Sequence, residues 1–147
     1  EEIMMGMPEN NRGNFMSAHS VIKAYGDKVR IDEPFTLSEE FEDGISMIEA
    51  YGHTPGHVMF LVKDGGNHLL IWGDLTHALA VQMPHPEISV TYDVDPDMAR
   101  ETRLKVLKYV SDNEIPVAGM HIPFSGTGMV KKAQTGYTFT DGDLTNR

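Results

Sequence analysis

The 147-residue chain contains no cysteine. That absence excludes disulfides, thiolate zinc sites and a cysteine nucleophile together. Basic residues are also few, with 12 Lys and Arg against 22 Asp and Glu and a formal net charge of −10. Nucleic-acid backbones and anionic membranes both reward clustered Lys and Arg, so neither nucleic acid nor a membrane is expected as a partner. No apolar run approaches the ~20 residues needed to cross a bilayer. The opening Glu1-Glu2-Ile3-Met4-Met5 has no signal-peptide pattern. It is not an obvious natural start either, so the chain reads as part of a longer gene product. The compartment of a soluble protein, cytoplasmic or periplasmic, stays open on that reading.

Hydrophobic residues make up 40% of the chain, and the 14 glycines bring the apolar and small total to about half, ordinary for a globular protein. The length suits one domain. Residues 1–13 read as polar and turn-rich. Asn14 to Tyr25 reads as a helix, with Phe15, Ala18, Val21, Ile22 and Tyr25 at helical spacing, ended by Gly26-Asp27. Val29 to Ile31 can form a short strand, and Pro34 to Gly44 an acidic solvated loop.

The middle is strand-like. Ile45–Tyr51, Val58–Val62 and His68–Trp72 are candidate strands, and Asp64-Gly65-Gly66-Asn67 marks a hairpin between the last two. A short helix is expected over Thr76–Val81. Asp95-Pro96 announces a longer one, a capping side chain followed by proline in the first turn. It should run to about Asn113 and bury Met98, Val106, Leu107, Tyr109 and Val110. Ile115–Met120 reads as a last short strand, with an edge strand or a frayed tail beyond Phe124.

Three polar residues stand where apolar runs stop: His53 after Tyr51-Gly52, Asp74 after Trp72-Gly73, and His121 after Gly119-Met120. If the runs are strands ending at one sheet edge, the three side chains can converge, and such edges are where ligands collect. Taken singly, each histidine is more readily a surface residue and Asp74 a turn residue. Taken together, two imidazoles and a carboxylate suit zinc and similar divalent metals. Trp72 reads as a core aromatic, the ten methionines mostly as core filler, and His19, His68 and His85 as exposed.

Gly52-His53-Thr54-Pro55-Gly56-His57 resembles the GHTPGH signature of the metallo-β-lactamase fold superfamily at all six positions. Trp72-Gly73-Asp74 and Gly119-Met120-His121 resemble its later aspartate and histidine motifs, in the same order. Leu70 to His77, Ala80-Val81-Gln82, Pro8 to Gly13 and His121-Ile122-Pro123-Phe124 resemble the methyl parathion hydrolase-like branch. The superfamily's upstream His-x-His-x-Asp-His motif is absent, since no two histidines here are two apart. The resemblance therefore implies an α/β (α+β) fold of mixed sheet and flanking helices, half of an αββα sandwich, with residues 1–147 as a single partial domain.

The same resemblance implies a hydrolase of ester, lactone or phosphotriester bonds in small molecules. Two divalent ions, zinc by default with Mn, Fe or Co possible, would generate a hydroxide nucleophile. β-Lactams fit less well, and RNA less still on charge. His53 and His121 would each hold one metal, and Asp74 both. His57 would orient the His53 loop, and His77 could face the substrate pocket. The other reading is a non-catalytic or degenerate fragment that binds metal weakly or not at all. In either case half a sandwich leaves an apolar sheet face uncovered, so a homo-oligomer or an element swap is expected.

Overall fold

The structure, a computed structural model, describes residues 9–30 and 43–142. The chain divides into two compact units, 1–33 and 34–147. The first holds α1 (Glu9–Tyr25) and a 3-10 turn over Gly26–Lys28. The helix begins five residues before the expected Asn14, so Asn10 to Gly13 are helical and not a turn-rich lead-in. The helical spacing holds, but Phe15, Val21, Ile22 and Tyr25 all stand exposed. Among the described residues of its unit, the helix has no second α-helix or strand against which to bury a stripe. Val29 and Arg30 are not in a strand. Ile31 and nearly all of the acidic stretch lie outside the described residues.

The second unit is a six-stranded mixed sheet in the order β1-β2-β3-β4-β5-β6. Its strands are β1 (Ile45–Glu49), β2 (Val58–Asp64), β3 (Asn67–Ile71), β4 (Val117–Ala118), β5 (Thr127–Lys132) and β6 (Tyr137–Asp141). Two helices, α2 (Leu79–Gln82) and α3 (Pro96–Asp112), lie in the connection between β3 and β4. All neighbouring strands pair antiparallel except β3 and β4, which are parallel, as a connection long enough to carry a helix allows. The stretch after Phe124, expected as one edge strand or a frayed tail, is the β5–β6 hairpin.

Strand periodicity sorts the side chains. Ser46 opposes Leu61, Ile48 opposes Met59, and Leu61 opposes Leu70, so these residues share one face. That face joins Val106, Leu107 and Val110 of α3 in one core with Trp72, Val117 and Val130. Asp95 caps α3 by accepting a hydrogen bond from the Met98 amide at 2.9 Å, and Pro96 fills the first turn. Met98, expected inside, is 45% exposed. It lies off the stripe formed by Ala99, Arg103, Val106, Leu107 and Val110. The opposite sheet face is also apolar, carrying Met47, Phe60, Val62, Leu69 and Ile71, with Ile71 39% exposed.

Strand direction then positions the site. Two successive antiparallel pairings make β1 run the same way as β3, and β4 runs parallel to β3. The C-terminal ends of β1, β3 and β4 therefore share one edge of the sheet. The segments that leave those ends carry His53, Asp74 and His121.

Candidate metal centre

Each of the three segments is fixed by main-chain hydrogen bonds. The Ala50 amide donates to the His57 carbonyl at 2.9 Å and closes the neck of the 51–56 loop, while Gly52 and His57 amides both donate to the Thr54 carbonyl. The β3–β4 pairing continues past the strand ends: Trp72 donates to Ala118 at 2.9 Å and Met120 to Gly73 at 3.1 Å. Those two bonds bring Asp74 and His121 side by side. His121 has φ 61°, the left-handed region that is uncommon for a residue with a side chain. Backbone strain of this kind collects at functional sites.

The three side chains converge. His53 Nε2 lies 3.4 Å from Asp74 Oδ2, and His121 Nε2 lies 3.4 Å from Asp74 Oδ1. A charge-assisted hydrogen bond would be shorter, about 2.7–2.9 Å. Two donors each about 2.0–2.1 Å from one tetrahedral ion sit about 3.4 Å apart. Asp74 Oδ1 is itself buried and has no hydrogen-bond partner among the described residues. An orphaned carboxylate oxygen, with one imidazole nitrogen facing each of its two oxygens, fits a cation site. The donor set of two imidazoles and a carboxylate fits zinc or another borderline divalent ion.

His57 sits behind this cluster. Its Nδ1–H donates to the Ala50 carbonyl at 2.8 Å, and its Nε2 accepts from the Asp74 amide at 3.0 Å. Both ring nitrogens are thus occupied, and the ring ties the His53 loop to the Asp74 turn. That turn needs Gly73, with φ +58°, because a Cβ there would stand 2.6 Å from His57 Nε2.

His77 lies between the other two imidazoles, its ring centroid 4.6 Å from that of His53 and 4.7 Å from that of His121. Its donor atom is within reach of either a His53–Asp93 or an Asp74–His121 group. Burial lowers the pKa of His77 below its ordinary value, and the two neighbouring histidines push it the same way. Tyr92 closes edge-on to His77 at 5.0 Å and completes an aromatic rim. Trp72 is wholly buried, as expected of a core aromatic. His19, His68 and His85 are exposed.

Three polar residues behind the site escaped sequence reasoning. Asp93 is buried, with Oδ1 hydrogen-bonded to His53 Nδ1 at 3.0 Å. Arg103 is 1% exposed and lies behind Asp93. Burial lowers its pKa, and Asp93 opposes that shift. Gln82 is buried and accepts from the His77 and Ala78 amides at 2.7 and 3.1 Å, which sets the His77 turn. Arg103 left a signal in the sequence as a charge within the apolar stripe of α3, and Gln82 stood in the Ala80-Val81-Gln82 motif without an assigned role. Asp93 looks like any loop aspartate, and Gln82 like any helix-end glutamine.

No protein-family model and no curated protein matches the chain. Solved structures do. The dizinc quorum-quenching lactonase AidC, determined with the product N-hexanoyl-L-homoserine, aligns over 95% of this chain at 26% identity with a TM-score of 0.81. The hydrolase AbOPH of the β-lactamase superfamily aligns over 97% at 29% identity with a TM-score of 0.79. The chain belongs to the metallo-β-lactamase fold superfamily. A probable metal-dependent hydrolase from Staphylococcus aureus, 17% identical over 82% of the chain with a TM-score of 0.61, shares the fold. The chain spans about half the length of these proteins: 46% of AidC, 50% of AbOPH and 43% of the staphylococcal protein. A mixed sheet with flanking helices is the superfamily's architecture as this chain carries it.

Proposed function

We propose that the chain carries part of the active site of a metal-dependent hydrolase acting on lactones, esters or phosphotriesters. The observation that supports this most is the placing of Asp74 between two imidazoles, with 3.4 Å to each and an unpartnered oxygen. His53 would hold one ion, His121 a second, and Asp74 would bridge them. Divalent ions would supply a nucleophile at neutral pH by lowering the pKa of water from 15.7 to about 7. His57 keeps the His53 and Asp74 segments in register. His77 and Tyr92 form the aromatic side of the entrance, suited to an apolar or aromatic acyl or aryl group.

The bond class rests on the likeness to a lactonase and to a β-lactamase-superfamily hydrolase, together with the methyl parathion hydrolase-like motifs. Metal content per mole of chain, measured by elemental mass spectrometry after loading with zinc and desalting, tests the reading. About one ion is expected from the three ligands present, and two if a partner supplies the remainder. Lactone, aryl ester and phosphotriester substrates would then be screened with and without a chelator. A folded chain that retains no metal would favour the degenerate alternative and leave His53, Asp74 and His121 as unused ligands.

The reading also includes a homo-oligomer or an element swap. Phe60, Val62, Leu69 and Ile71 form an apolar face on the sheet side away from α3, and such a face favours association. Light scattering should therefore give a mass above 16.4 kDa. A compact monomer at that mass would remove this part of the proposal.

A further inference from the structure

The metal reading gives no role to the most deeply buried acid near the site. Asp93 has a side chain only 2% exposed, and Arg103 behind it is 1% exposed. Burying a carboxylate is costly unless its oxygens are satisfied. Here they are. Oδ2 accepts from the Val90 amide at 3.1 Å and lies 4.0 Å from Arg103 Nη2. Oδ1 lies 3.0 Å from His53 Nδ1. Arg103 Nη1 also donates to the Ile88 carbonyl at 3.2 Å, which holds the 88–93 segment on α3. Two main-chain bonds flank the contact: Val94 donates to the His53 carbonyl at 3.1 Å and Asp95 to the Gly52 carbonyl at 2.9 Å.

We propose that Asp93, backed by Arg103, is a positioning residue that fixes the tautomer and direction of His53, leaving Nε2 free to bind metal. The inference rests on the metal centre proposed above. A carboxylate can only accept, so the His53 nitrogen facing it carries the proton. In a neutral imidazole the other nitrogen then carries the lone pair. That nitrogen is Nε2, the one facing Asp74 Oδ2. Free imidazole side chains favour protonation at Nε2, which would block this ligand. A carboxylate behind a ligating histidine typically contributes 10- to 100-fold in metal affinity.

The test begins without metal. Long-range proton–nitrogen spectra of the histidine-labelled, metal-free chain read the His53 tautomer directly. We expect the Nδ1–H form. In Asp93→Ala the Nε2–H form should dominate, and zinc affinity, measured by competition with a chromophoric chelator, should fall about 10- to 100-fold. Asp93→Asn keeps an oxygen that can accept from Nδ1, so it should retain the native tautomer and recover most of the affinity. A purely structural role for Asp93 would not sort the variants by tautomer. An Nε2–H form in the unsubstituted chain would overturn the proposal. So would a folded Asp93→Ala that binds zinc as tightly as its parent. If the unsubstituted chain takes up no zinc, the hydrolase reading falls, and the tautomer alone judges Asp93. Should Asp93→Ala fail to fold, the spectrum of the unsubstituted chain and the Asn variant still decide.

Discussion

Exchange of Asp74 for alanine is expected to abolish metal uptake while leaving the metal-free fold intact. Asp74 is the single anion among the three candidate ligands, and it faces both imidazoles at 3.4 Å. Without it, the candidate ligands that remain are two imidazoles, and no anionic ligand offsets the charge of a divalent ion. Loss of a group outside the coordination sphere already weakens binding 10- to 100-fold, so loss of the shared ligand should exceed about 100-fold. The metal-free chain should hardly notice. The Asp74 side chain is 34% exposed, its Oδ1 has no hydrogen-bond partner among the described residues, and its amide bond to His57 does not involve the side chain. Metal-free stability should therefore stay within about 1 kcal/mol of the parent. Thermal melts with and without zinc separate the two effects. The parent should gain about 2.7 kcal/mol at a zinc concentration 100 times its Kd, and the variant less than about 0.4 kcal/mol. A variant still stabilised by zinc to the same extent would remove Asp74 from the site.

Replacement of Gly52 by alanine should be the most damaging small change to the fold. Gly52 has φ +126°, where a side chain is strained. A Cβ there would stand 2.1 Å from the Ala99 nitrogen, 2.4 Å from its Cα and 2.7 Å from the Met98 carbonyl carbon. All three atoms are backbone in the first turn of α3, so no side chain can swing aside. Backbone strain of about 1–3 kcal/mol adds to overpacking of about 1–3 kcal/mol. The loss of about 2–6 kcal/mol is a large share of the 5–15 kcal/mol that holds a domain together. Gly65 makes a control, because it also has positive φ, +53°, but opens onto empty space. Gly65→Ala should cost only about 1–2 kcal/mol, from backbone strain alone. Urea denaturation gives both numbers. A Gly52→Ala chain as stable as the Gly65→Ala chain would show that the approach of the loop to α3 relaxes freely.

Much of the fold was legible because local signals were strong. The Asp64 to Asn67 turn lies between two apolar runs and forms the β2–β3 hairpin. The Asp95-Pro96 pair opens α3 where a cap and a first-turn proline predict. The β5–β6 hairpin was less legible. Its strands, TGMVKK and YTFTD, hold no long apolar run, and of their apolar side chains only Val130 is fully buried. The α1 stripe shows the opposite limit. Periodicity located the helix, but exposure depends on what lies opposite, which periodicity does not encode.

The residue types of the candidate site and their order are legible in the sequence, because His53, Asp74 and His121 lie within short motifs that follow apolar runs. The absence of cysteine restricted any metal to imidazoles and carboxylates. That the three residues meet is a property of the folded sheet. Convergence requires β1, β3 and β4 to run in one direction, and strand direction follows from pairings between residues far apart in sequence. The His53–Asp93–Arg103 chain was beyond sequence reasoning for the same reason. Its members are 40 and 10 residues apart, and each looks ordinary alone. Burial by α3 makes them one unit, because a charge removed from water must find its partner inside the protein.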